Sequence, residues 1–96
     1  MNVQGSEFPN GYIIQPDGDI LPMPEPAGDD GGFTLEQLQE AVKGYVAVLF
    51  RGPTGNLFLC NEDGMLQHQP YNMVGTILCG KSVVGNVVVI DAEAMK

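Results

Sequence analysis

The chain has 96 residues and a formal net charge of −8, from twelve Asp and Glu against four Lys and Arg. A chain this short forms one domain and buries only about 60 to 65% of its unfolded surface, so its core is modest and self-association is a ready way to enlarge it. A negative field repels nucleic acid and polyanionic membranes and attracts basic protein surfaces.

No apolar run approaches the roughly 20 residues that span a bilayer. Residues 1–6 carry neither a basic nor an apolar region, so no secretion signal is expected and a cytoplasmic location follows as the default. Cys60 and Cys79 both sit in apolar stretches, which predicts two small buried thiols rather than a disulfide. Neither has a nearby His or Cys for a metal site, and nothing in the chain calls for a cofactor.

In chain order, residues 1–10 read as a flexible leader, 11–90 as one domain and 91–96 as a short tail. Residues 12–15 and 20–23 predict a hairpin around Pro16-Asp17-Gly18-Asp19, because Pro presets one torsion and Gly tolerates a positive φ. Pro22 lacks an amide proton and confines its strand to an edge or a strand end. Residues 24–32 have the composition of a loop.

A helix over residues 34–43 carries its own start and stop signals. Thr34 and Gln37 have the spacing of a capping box, and Phe33 and Leu38 that of a hydrophobic staple. Leu35, Leu38, Ala41 or Val42, and Tyr45 share one face, while Glu36, Gln37, Gln39, Glu40 and Lys43 point outward. Gly44 is the natural left-handed residue at the helix end.

Residues 45–50 are apolar at every position, which predicts a strand covered on both faces. Turn residues 51–56 lead to a second apolar strand over 57–61, antiparallel to the first, and 61–64 form a tight turn. Residues 65–68 predict a short strand and 71–78 a short helical turn capped by Asn72. Residues 83–90 predict the last strand, with a bulge or kink at Gly85-Asn86. The sum is an α+β fold: a small, mostly antiparallel sheet of about five strands with one main helix packed on one face.

From Gly11 to Ile90 the order of signals resembles a family of small bacterial and phage proteins, the domain-of-unknown-function family number 3846. The resemblance rests on residues 13–18, 34–39, 42–45, 59–64, Asn72 and 84–89. It departs at Lys43, where the family pattern has Gly. It implies a compact phage or mobile-element domain and no activity.

The resemblance singles out Asn61, Glu62 and Asn72, which could converge at one end of the sheet. A carboxylate beside two amides can bind a small polar ligand or a peptide backbone. The same residues also suit a plainer role, with Asn61 in the turn, Asn72 as a helix cap and Glu62 in solvent.

Eight of the twelve acids precede Lys43, the first base, and residues 41–96 are balanced at four of each. Asp17, Asp19, Glu25, Asp29, Asp30, Glu36 and Glu40 therefore define a candidate acidic docking surface for a protein partner with a basic face. This predicts a non-catalytic accessory domain, with inhibition of a host or defence factor as a narrower form. Capture of a small metabolite or nucleotide signal, at a pocket or an oligomer interface, is the alternative. His68, the sole histidine, has no partner with which to form a catalytic set and is expected on the surface.

Overall fold

The residues between the first two apolar segments close a hairpin. Gly18 takes φ 93°, its amide donates to the Gln15 carbonyl at 2.9 Å, and Asp17 Oδ1 accepts the Asp19 amide at 3.0 Å. The computed structural model describes residues 9–52, 55–64 and 66–95, the side chains of Phe50 and Met95 excepted. In it the turn joins β1 (Tyr12–Ile14) to β2 (Ile20–Pro22), antiparallel with Ile14 opposite Ile20. Most of the leader, residues 1–8, and Lys96 of the tail lie outside the described residues.

Helix α1 (Leu35–Val42) starts as its residues dictate. Thr34 Oγ1 accepts the Gln37 amide at 3.1 Å and Gln37 Oε1 accepts the Thr34 amide at 3.0 Å, completing the capping box. Leu38, Ala41 and Val42 are buried with Phe33, but Leu35 and Tyr45 are exposed, against the expected stripe. Phe33 and Met23 fill the core at the start of the helix. At its end Lys43, not Gly44, takes the left-handed conformation (φ 64°), and the helical register stops before Tyr45.

Two further strands, β3 (Val46–Arg51) and β4 (Asn56–Asn61), form the expected antiparallel pair, with a bulge between Val48 and Phe50. Helix α2 (Met73–Cys79) follows, capped by Asn72, and then β5 (Val87–Asp91) and a 3-10 helix (Ala92–Met95). The sheet order is β2-β1-β5-β4-β3, and every recorded pairing is antiparallel.

Three expectations are corrected by this order. The run at 45–50 lies at an edge, where Val48 is exposed, and the fully buried strand is the central β5, whose Val87 to Ile90 are covered on both faces. Leu66, Gln67 and His68 are turns rather than strand, with His68 exposed at φ 56° and Met65 outside the described residues. The last strand begins at Val87, because Gly85 (φ 75°) turns the chain after Val84 makes an isolated bridge to Tyr71.

The sheet carries two cores. On the α1 face, Met23, Phe33, Leu38, Val42, Leu57, Leu59, Val88 and Ile90 pack together, with Ala92 and Ala94 of the 3-10 helix against them. On the other face Ile14, Val83, Val87 and Val89 meet Val74 and Cys79 of α2. Alternation along β4 and β5 sends successive side chains to opposite faces. No helix among the described residues is long and apolar enough to cross a membrane.

Candidate functional site

The candidate polar residues lie at the end of the sheet where β1 and β4 finish and β5 begins. Asn72 is fully buried and uses every side-chain polar atom. Its Oδ1 accepts the Gly75 amide at 2.8 Å, and its Nδ2 donates to the Ile14 carbonyl at 2.9 Å and the Gly85 carbonyl at 2.8 Å. One side chain thus ties α2 to the end of β1 and to the turn before β5. Gly75 has no room for a Cβ, which would meet Val87 Cγ2 at 2.8 Å and Asn72 Cγ at 3.1 Å.

Asn61, 4% exposed, does the same for α1. Its Oδ1 accepts the Asp63 amide at 2.8 Å, closing the turn, and its Nδ2 donates to the Lys43 carbonyl at 2.9 Å and to Gln67 Oε1 at 3.0 Å. A Cβ on Gly44 would collide with that amide, which is why glycine stands there although it is not the left-handed residue. Glu62 is exposed, and its amide donates to the Tyr45 carbonyl at 2.7 Å. The three residues share one end of the sheet, yet no described hydrogen bond joins them, and the two amides are taken up by holding the fold.

All seven carboxylates of the candidate docking surface are exposed. They divide in two. Met23 pairs with Gly11 at the start of β1, so the loop carrying Glu25, Asp29 and Asp30 lies at the opposite end of the first hairpin from Asp17 and Asp19. Glu36 stands in the first turn of α1, and Glu40 follows one turn later on the same side.

The loop is held in place by Gln37. Its Nε2 donates to the Glu25 carbonyl at 2.8 Å, and its Oε1 accepts the Ala27 amide at 2.9 Å as well as the Thr34 amide. Asp30 Oδ1 accepts the Gly32 amide at 2.9 Å, and the Phe33 amide donates to the Ala94 carbonyl at 2.8 Å. The capping box is visible in sequence, but the clamp across 10 and 12 residues has no local signal.

Cys60 and Cys79 are free and half-buried, more open than their apolar neighbours suggest, because Cys60 is next to the edge strand and Cys79 ends α2. Burial pushes both thiols up, Cys60 raises Cys79 further, and Lys81 pulls both the other way. Burial likewise raises Tyr12. Among the described residues no group of three or more His, Cys, Asp or Glu is placed to hold a metal ion.

No curated protein and no solved structure matches this chain. The model of one family, described as Domain of unknown function (DUF3846), matches residues 10–95, nearly the whole length, and the chain belongs to that family.

Proposed function

We propose that this chain is a non-catalytic accessory domain, of the phage or mobile-element kind that the family resemblance implies, which docks a protein partner through a basic surface on that partner. The observation that carries the reading is the clamped acidic loop. Glu25, Asp29 and Asp30 stand on backbone held by Gln37 and by the Asp30 turn, beside Glu36 at the start of α1. Carboxylates displayed on ordered backbone lose less conformational freedom on binding than those on a free chain. Their field speeds encounter with cationic surfaces and disfavours nucleic acid and anionic membranes.

The test neutralises the loop without unfolding it. Asp30→Asn keeps an Oδ1 for the Gly32 amide, and Glu25→Gln, Asp29→Asn and Glu36→Gln leave the clamp intact. Wild-type protein immobilised in a bacterial lysate is expected to retain basic proteins that elute as salt rises, since exposed charge pairs are screened. The fourfold variant is expected to lose them. Identical capture by both proteins would refute the reading. Small-ligand capture, the second reading, has one observation in its favour, a groove of about 410 Å³ between α1 and the first hairpin.

A further inference from the structure

Helix α1 packs chiefly on β3, β4 and β5, and a groove lies between it and the first hairpin. The space beside the helix is the groove of about 410 Å³, within the roughly 300–1,000 Å³ typical of small-molecule sites. Ile13, Leu21 and Met23 supply an apolar side, and Glu40 and Lys43 supply opposite charges from the end of α1.

Asn86 lines the same groove and is 8% exposed. Its Nδ2 donates to the Ala41 carbonyl at 3.0 Å, whereas its Oδ1 accepts a hydrogen bond from no described residue. No sealed-off side-chain oxygen or nitrogen among the described residues lacks a partner, so this oxygen keeps some access to open space, and Asn86 is one of the residues that line the groove.

The chemistry that satisfies these groups together is narrow. Asn86 Oδ1 and the Glu40 carboxylate both accept, so a ligand that brings an ammonium suits this end. Lys43 only donates and calls for an anion. Ile13, Leu21 and Met23 call for an aliphatic body. A simple amine leaves Lys43 unused, and a simple carboxylate leaves Asn86 and Glu40 unused.

We infer that the groove binds a free amino acid with an apolar side chain: the ammonium on Asn86 Oδ1 and Glu40, the carboxylate on Lys43, the side chain across Ile13, Leu21 and Met23. Apart from Glu40 the residues are not those of the acidic docking surface, so either reading can fail alone. Binding here gives the domain a second input, the presence of an amino acid, beside the loop that meets a partner.

The test titrates L-leucine and L-methionine into isotopically labelled protein and follows backbone amide shifts, with N-acetyl-leucine and leucinamide as blocked analogues. Saturable shifts are expected at Ile13, Leu21, Met23, Lys43 and Asn86. Acetylation or amidation removes a charge-assisted contact and weakens affinity about tenfold or more. Lys43→Gly is expected to weaken binding similarly, and because it relieves a left-handed backbone an unchanged or raised Tm, measured alongside, separates that loss from unfolding. Leu21→Ser tests the apolar side at an exposed position. The inference is overturned if neither amino acid gives saturable shifts, if the blocked analogues bind equally well, or if the shifts fall outside the groove.

Discussion

The two helices are nearly the same length and are made in different ways. The eight residues of α1 carry a cap, an apolar face of Leu38, Ala41 and Val42, and acids toward solvent. The seven residues of α2 carry no charge, bury only Gly75 fully, and turn Met73 (62% exposed) and Ile77 (72%) outward. Helices shorter than about 12 residues are marginal alone, so both depend on packing. For α1 the packing face is written into the helix itself. For α2 that face is only the half-buried Val74 and Cys79, and one buried asparagine and one close contact at Gly75 add to it.

That contrast is most easily broken at Asn72. Asn72→Ala removes three buried hydrogen bonds, those to the Ile14 and Gly85 carbonyls and that from the Gly75 amide, and such losses accumulate to about 3 kcal/mol. Urea denaturation should show that loss, and hydrogen exchange should show protection vanishing over residues 73–79. A loss below about 1 kcal/mol would mean that α2 is held by its own sequence after all.

Thr34→Ala is the matching change at α1 and should cost less. It removes one hydrogen bond from a half-buried cap, worth about 1 kcal/mol, while the buried stripe and Gln37 remain. Exchange protection over residues 35–42 should persist. Collapse of α1 in this variant would invert the comparison.

The same division explains what the sequence made legible. The first hairpin, α1 with its capping box, the β3–β4 pair and the Asn72 cap all rest on signals within a few residues, and all are present. The sheet order is not legible that way. Residues 45–50 and 87–90 are both unbroken apolar runs, and only the docking of β1 and β4 on either side of β5 makes one central and the other an edge. The polar residues behave alike: the Asn72 cap spans three residues and could be read, whereas its bond to Ile14 spans 58 and could not. Asn86 reaches 45 residues back to Ala41, whereas its local sequence predicts only a bulge or kink.

The smallest expected effect concerns the junction where α1 stops. Lys43 adopts φ 64° and ψ 43°, a conformation costing an L-residue roughly 1–2 kcal/mol, while the glycine suited to it stands one position later, under the Asn61 amide. The chain therefore meets two demands at adjacent positions, a left-handed turn and a close approach, with one glycine, and the close approach takes it. Lys43→Gly meets both. Glycine loses about 0.5–1 kcal/mol more to unfolded-state freedom, so the net gain is about 0.5 kcal/mol, a rise in Tm of about 2–4 °C. The Lys43 carbonyl still accepts from Asn61, so the tether survives the change. A fall in Tm would show that the Lys43 side chain contributes more to holding α1 than its backbone conformation costs, and the end of α1 would then be set by tertiary contact, as α2 is.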